Sequence, residues 1–310
     1  MKNLLKAVPI PIAGVMLALA ALGNLWGTPG ETIHMLFGLV AFIVFILLLL
    51  KILTSFEGLR TAMNDPVTAS VSGTFTMGMM VLSVYAKFFI GTHLATYFWF
   101  LAIALHVLLI LWFTVRYILS ITIQKVFASY YIVFIGIVVA SLTAPAFAMA
   151  PTVGTWAFWF GFVSLIILSI VITYRYRAYP VVAEPAKPLI CIYAAPVSLC
   201  LAGYLQSVDL KSDYMVLGML IAATLIYLMV LIKLPKLLKI PFYPSYAAFT
   251  FPFVITAIAT KQATAYLIAQ GYNAVWMNGI IQGESAIALV LVFYVLFRYF
   301  MAIRKAIKTS

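Results

Sequence analysis

The chain contains 310 residues, of which 66% are hydrophobic and only 8% are charged, and its mean hydropathy is +1.16. Soluble domains carry about 25% charged residues, so this composition excludes a water-soluble globular protein and indicates an integral membrane protein. The net charge of +12 could suggest a nucleic-acid partner. We expect none, because the basic residues follow the gaps between apolar segments and do not gather into one basic groove.

The apolar residues fall into ten segments, each near the length of about 20 residues that a helix needs to cross a bilayer core. No gap between them is long enough to hold a soluble domain. We therefore predict an all-α integral membrane fold of ten transmembrane helices in a single transmembrane domain over residues 1–310. The segments lie at roughly 8–27, 32–53, 71–91, 96–117, 130–150, 154–175, 188–207, 213–234, 243–268 and 280–301.

The basic residues occupy every second gap between these segments. On the side that carries the N-terminus, here called side A, we count 16 of the 19 lysines and arginines, whereas side B has only Lys87, Lys211 and Lys261. By the positive-inside rule, side A is cytoplasmic and both termini are inside the cell. Most tryptophans fall near the side-B ends, as in an aromatic belt at the outer interface. We expect a multi-pass protein of the cell inner membrane.

Small and helix-breaking residues distinguish the odd segments from the even ones. Gly, Pro, Ser and Thr concentrate in segments 1, 3, 5, 7 and 9, while runs such as 36–50 and 286–297 are almost entirely large and apolar. Irregular backbone is tolerated at membrane depth where protein or a cavity surrounds it. The short connections 1–2, 3–4 and 5–6 favour hairpins. The pattern predicts five helical hairpins, with the odd helices in an inner pore ring and the even helices in an outer ring.

The reactive side chains give no indication of an enzyme. His34 and His93 lie near side B and His106 lies within the fourth segment, so no two histidines match in depth as haem ligands would. Cys191 and Cys200 point to opposite faces of one helix, so they can neither pair nor share a metal ion. We expect no catalytic residue, no metal site and no cofactor.

Two lysines and one Phe–Pro pair stand out in the inner helices. Lys87 and Lys261 either extend to the outer headgroups or raise the anion concentration at the outer mouth of a pore. A central path lined by neutral residues suits weak binding of anions, which must also leave quickly.

In the ninth segment, Pro252 bends the helix and positions Phe251 at the kink. Ordinary helix packing is the alternative explanation for that pair.

Several stretches of the chain resemble the tellurite-resistance/dicarboxylate transporter family, which includes bacterial homologues of the plant guard-cell slow anion channel. The resemblance rests on residues 248–252 (AFTFP) and 257–260 (AIAT), with support from 129–141, 194–199 and 19–22. It implies a homotrimer in which each subunit has its own pore between odd helices. Phe251 would then block the pore, and Gly14 would lie against its ring. Pro196 falls in a proline-containing run that is typical of helix seven in the family. Like Pro252, it would kink a pore helix. Met16 and Ala18 depart from the family pattern, in which Pro and Gly are frequent there.

We therefore expect an anion channel or channel-like transporter that passes small anions such as chloride and nitrate, with membrane lipid as its surroundings. The alternative is an alternating-access exporter of organic anions, sulfite or tellurite-type oxyanions. Drug/metabolite carriers also have ten helices, but they are built as two five-helix halves, whereas the similarity here repeats every two helices. A membrane enzyme has no support among the titratable residues.

Overall fold

The computed structural model describes residues 2–309, and within that range the chain forms helices and connecting turns without a β-strand. Thirteen α-helices are numbered here in chain order. They are α1 (Lys2–Ala7), α2 (Ala13–Trp26), α3 (Thr32–Thr54), α4 (Phe56–Ala62), α5 (Pro66–Val71), α6 (Gly73–Phe113), α7 (Tyr130–Ile135), α8 (Val138–Thr143), α9 (Thr155–Ala178), α10 (Ala194–Ser207), α11 (Asp213–Leu237), α12 (Phe251–Ala269) and α13 (Asn278–Thr309).

Seven helical stretches of residues 2–309 are long and apolar enough to cross a membrane: Thr32–Thr54, Pro66–Ile118, Ala150–Ala178, Glu184–Ser207, Asp213–Leu237, Pro244–Ala269 and Val275–Lys308. Two shorter apolar helices, Ile10–Trp26 and Val138–Phe147, correspond to the predicted first and fifth segments. The predicted third and fourth segments both lie in the 53-residue stretch Pro66–Ile118. The all-helical membrane class is therefore as the composition predicts.

Helix α6 is interrupted in its middle. Gly91 has φ 77° and ψ 165°, a backbone conformation outside the helical region, so residues 73–90 and 92–113 are two helices. A residue with a Cβ rarely adopts this φ, and glycine does so without strain. The sequence placed a turn between 91 and 96, and the break occurs at the start of that interval.

Burial divides the helices into two classes. In α2 every residue from Ala13 to Gly23 is buried. Within their most apolar stretches, Glu184–Ser207 is 78% buried and Pro244–Ala269 is 72% buried, against 28–33% for the other five long spans. The irregular backbone is mostly in the buried class: 3-10 turns Glu184–Tyr193 and Pro244–Phe249 precede α10 and α12, and the fifth segment breaks between α7 and α8. Burial in protein compensates for the helical hydrogen bonds that such backbone lacks.

Side-chain contacts connect the two long 3-10 turns. The Tyr243 hydroxyl donates to the Glu184 carboxylate at 2.8 Å. The Ser245 hydroxyl donates to the Pro185 carbonyl at 2.5 Å. These contacts fix the starts of the seventh and ninth segments against each other, and the candidate site lies directly beyond them.

Candidate functional site: a neutral cavity between the buried helices

A cavity of about 50 Å³ lies between the buried segments, and each of the five odd segments predicted from the sequence contributes to its wall. Since a single water needs about 10–15 Å³ by this kind of measure, the space holds only a few water-sized molecules. The lining residues are Gly14 from the first segment; Val71, Thr74 and Met77 from the third; Tyr131, Ile132, Ile135 and Gly136 from the fifth; Leu189, Ile192, Ala195, Pro196 and Leu199 from the seventh; and Ser245, Ala247, Ala248, Phe251 and Pro252 from the ninth.

Phe251 lies in this wall because the ninth segment changes helix type immediately before it. The 3-10 turn ends at Phe249, and Thr250 has φ −110° and ψ −90°, outside helical values. The buried Thr250 hydroxyl lies 2.7 Å from the Ala247 carbonyl and 3.2 Å from the Gly14 carbonyl. These contacts hold the junction against α2, so that Phe251 begins α12 facing the cavity, with only 5% of its surface exposed.

Gly14 lies on the same cavity as Phe251, at the closest approach of α2 to the ninth segment. A Cβ added at Gly14 would lie 3.1 Å from the Ala247 Cβ and 3.6 Å from the Ala247 oxygen. Its nearest neighbour is thus Ala247, while Phe251 is a second member of the wall. Met16 stands where the family often has proline, and its side chain is fully buried. Its terminal methyl group occupies the space that a side chain at Gly78 would need.

Pro196 and Pro252 both line the cavity, and both lie in the first turn of an α-helix that follows a 3-10 turn. The missing N–H of proline costs no hydrogen bond in a first turn. The change from 3-10 to α geometry therefore precedes each proline, and the proline itself breaks no helical hydrogen bond. The Ser198 and Thr256 hydroxyls, 3.1 Å apart, link the two helices just beyond the prolines.

The cavity wall contains no charged side chain among its lining residues. Its polar members already have partners: the Thr74 hydroxyl donates to the Val71 carbonyl at 2.7 Å, and the Tyr131 hydroxyl donates to Ser169 at 3.1 Å. A wall of this kind offers an ion weak, neutral contacts.

The comparison with known families decides which class of membrane protein has this cavity. Residues 7–300 match the family model described as the voltage-dependent anion channel (SLAC1). The chain belongs to this anion channel family. The match covers nearly the whole chain and agrees with the resemblance seen in the short motifs. The class of function is therefore anion transport across a membrane. A comparison with curated proteins finds no match.

In this anion channel family member, the three lysines predicted on side B each donate to a main-chain carbonyl. Lys261 Nζ lies 3.0 Å from the Leu25 oxygen, in the last turn of α2, and Lys211 Nζ lies 2.7 Å from the Val208 oxygen, just after α10. Lys87 Nζ donates to the Ala146 oxygen and lies 5.5 Å from the centre of the neighbouring Phe147 ring. All three carbonyls are at the C-terminal ends of buried segments, where helical carbonyls lack intrahelical partners.

Lys87 and Lys261 stand out in the sequence because they interrupt apolar helices, and no role is predicted there for Lys211. The signal was present, since Lys211 is the one other lysine predicted on side B. The carbonyl partners were beyond sequence reasoning, because they belong to segments distant in the chain: Lys261 and Leu25 are separated by 236 residues.

No histidine, cysteine or acidic residue is among the residues that line the cavity. Within residues 2–309, no three His, Cys, Asp or Glu side chains lie close enough together to hold a metal ion. Cys191 and Cys200 are buried and not paired with each other. Of the three histidines, His93 is exposed, while His34 and His106 are fully buried and hydrogen-bonded to protein groups.

Proposed function

We propose that this protein is an anion channel or channel-like transporter that passes small anions such as chloride and nitrate through one neutral pore per subunit. The single observation that carries the proposal is the uncharged cavity to which all five buried segments contribute. An anion that meets only neutral, weakly polar groups is held loosely and leaves quickly, as fast conduction requires. Nothing in this wall would bind an oxyanion or organic anion tightly.

Phe251 is the proposed gate of this pore, with Gly14 in the same wall and Pro196 and Pro252 in the first turns of the two helices that line it. Burial of a phenylalanine side chain is worth about 1.5–3 kcal/mol, and 1.4 kcal/mol corresponds to a factor of ten in an equilibrium. If an open pore requires the ring to leave its buried position, the open state is populated about 10- to 100-fold less than it would be without the ring. The resting conductance is then low.

The proposed topology is ten crossings arranged as five hairpins, with odd helices inside, even helices outside and side A in the cytoplasm. The break at Gly91, the two shorter apolar helices and the contrast between 72–78% and 28–33% burial support it. A buried inner helix does not have to match the hydrocarbon thickness by itself, because protein surrounds it. The homotrimer is carried over from the resemblance to the family.

Lys87 and Lys261 are proposed to raise the local concentration of anions at the outer mouth. Both amino groups donate to carbonyls at helix ends. The field of such charges acts on ions before they enter a narrow path. It therefore affects the rate of entry more than the selectivity within the neutral cavity.

Chloride efflux from proteoliposomes, with a potassium ionophore to balance charge, tests the proposal with two matched variants. Phe251→Ala removes the proposed gate, and efflux should rise by about 10- to 100-fold over wild type. Phe253→Ala is the control, because this phenylalanine is fully buried two residues away, packs against Tyr227 at 5.6 Å and does not line the cavity. It should leave efflux near the wild-type rate.

Two outcomes of this assay would count against the channel. Equal rises in both variants would mean that loosened packing, and not an opened gate, lets chloride through. No chloride efflux in any variant, together with exchange of a radiolabelled organic anion, would identify a carrier and favour the exporter.

A further inference from the structure

His106 lies in the predicted outer fourth segment but contacts two segments of the cavity wall. Its side chain is fully buried. Nδ1 lies 2.6 Å from the Thr76 hydroxyl, on the third segment, and Nε2 lies 3.0 Å from the Val133 carbonyl oxygen in α7, on the fifth segment. Because a carbonyl can only accept, Nε2 must bear the hydrogen. In a neutral ring Nδ1 is then an acceptor, and the Thr76 hydroxyl has two acceptors in reach, Nδ1 at 2.6 Å and the Gly73 carbonyl at 2.9 Å. The imidazole therefore bridges the third and fifth segments.

The Val133 carbonyl needs this donor because the fifth segment breaks just beyond it. Helix α7 ends at Ile135 and α8 begins at Val138, with the Gly136 N–H paired to the Ile132 carbonyl at 3.2 Å. In an unbroken helix the next bond would run from the N–H of residue 137 to the Val133 carbonyl. Here the His106 Nε2–H donates to that carbonyl instead. A buried carbonyl left without a donor would cost about 1–3 kcal/mol.

The imidazole lies directly behind the cavity wall. Gly136 lines the cavity, and a Cβ added to it would lie 2.9 Å from His106 Cε1 and 2.8 Å from the sulfur of Met77, another lining residue. Because Gly136 has no side chain, only its backbone separates the imidazole from the cavity at this point. The Val133 carbonyl, bonded to His106, thus faces the outer helix and not the cavity.

We infer that His106 is a positioning residue for anion conduction: it holds the carbonyl freed by the broken fifth segment on the outer side of the wall, away from the anion path. Rings of backbone carbonyls replace the hydration shell of cations in potassium filters, so a carbonyl facing the path favours cations and repels anions. Without the imidazole donor, the buried Val133 carbonyl would need another partner, and the cavity lined by Gly136 lies three residues further along the chain. This inference rests on the proposed function, since it assumes that the cavity is the anion path.

The test is the chloride-to-potassium permeability ratio, taken from reversal potentials in planar bilayers with the Phe251→Ala protein as background. Adding His106→Phe keeps a flat ring but removes the donor, and the ratio should fall severalfold. Adding His106→Gln restores an N–H near the position of Nε2, and the ratio should return towards the background value. Adding His93→Phe, at an exposed histidine of the same helix (residues 92–113), should change nothing.

A purely structural role would lower the melting temperature of the His106→Phe variant and leave its permeability ratio unchanged, and that result would overturn the inference. If His106→Phe does not fold, Thr76→Val decides, because it removes the partner that fixes the ring and should lower the ratio in the same direction by a smaller amount. An unchanged ratio in that variant overturns the inference as well. A background protein without anion current would instead refute the proposed function, and the inference with it.

Discussion

Lys87, Lys211 and Lys261 place positive charge where three buried helical segments end. The C-terminus of an α-helix carries about −0.5 of an elementary charge, so three such ends together present about −1.5 to an approaching anion. If the inner segments run in the same direction, as we propose, these ends lie on one side of the membrane. The lysine hydrogen bonds to Leu25, Ala146 and Val208 offset that negative end at each segment.

Removing two of these charges should slow anion entry in a salt-dependent way. At about 10 Å in water each charge is worth about 0.4 kcal/mol, so Lys87→Gln with Lys261→Gln should lower the chloride current of Phe251→Ala about fourfold at low salt. Near 1 M salt, where the Debye length is about 3 Å, the effect should nearly vanish. Single-channel current measured against chloride concentration gives the answer. Lys125→Gln with Lys308→Gln, on the opposite predicted side, should not reproduce this salt dependence.

The sequence was most informative about single residues where a motif fixed their local surroundings. Phe251 and Pro252 could be assigned to a candidate pore from five consecutive residues, and both line the cavity. His106 could not be assigned, because its partners Thr76 and Val133 lie on segments brought together only by the fold. Hydrogen bonds across 27 to 30 residues leave no periodic signal in the sequence.

At the scale of helices, close packing between α2 and α3 depends on glycines around one tyrosine. A Cβ at Gly38 would lie 2.3 Å from the Tyr85 ring, and a Cβ at Gly23 would lie 2.1 Å from the Tyr85 hydroxyl. Tyr85 donates to the Ala20 carbonyl at 2.6 Å and stacks on His34 with ring centres 3.9 Å apart. The first and second segments can approach each other and α6 only because these two positions have no side chain.

Gly38→Ala should therefore destabilise the protein, although alanine is the better helix former by about 1 kcal/mol. Overpacking of a filled site costs about 1–3 kcal/mol, and the stacked Tyr85 ring has little room to move. Thermal unfolding in detergent should show a lower midpoint than wild type. Gly218→Ala is the matched control, since this glycine lies within α11 and a Cβ there meets nothing within 4 Å. An equal midpoint in both variants would argue against the tyrosine contact.

Glycine spacing alone did not identify which helices pack closely. The pairs Gly23/Gly27 and Gly279/Gly283 have the same small-xxx-small spacing. A Cβ at Gly27 would lie 2.8 Å from the His34 nitrogen, so the first pair lies at a helix contact, whereas a Cβ at either residue of the second pair meets nothing within 4 Å. The difference depends on which neighbour faces the glycines, and the spacing contains no information about that neighbour.

For the whole molecule, hydropathy and charge were enough to predict an all-helical membrane protein, while ten crossings stay a prediction beside the seven long apolar stretches found in residues 2–309. They could not predict the 3-10 starts of α10 and α12 or the break between α7 and α8, because these irregularities are compensated by contacts with other segments. They also predict the orientation only through the distribution of lysine and arginine. The orientation is therefore the global property that most needs an independent measurement.

Labelling of single cysteines by a membrane-impermeant maleimide measures that orientation. Leu210 and Val181 are 93% and 89% exposed, in loops predicted on sides B and A. In spheroplasts, Leu210→Cys should react at once and Val181→Cys only after permeabilisation. The native cysteines are both buried and should contribute little background. The reversed pattern, or immediate labelling of both, would contradict the proposed topology.

The reversal potential of Phe251→Ala in a planar bilayer, under a chloride gradient, tests the central claim most directly. We predict a large current that reverses near the chloride equilibrium potential, with little current from wild type. Such a result requires that anions pass the neutral cavity and that the Phe251 ring is what obstructs it. Reversal near the potassium potential, or no current from either protein, would contradict the account of an anion pore closed by an aromatic side chain.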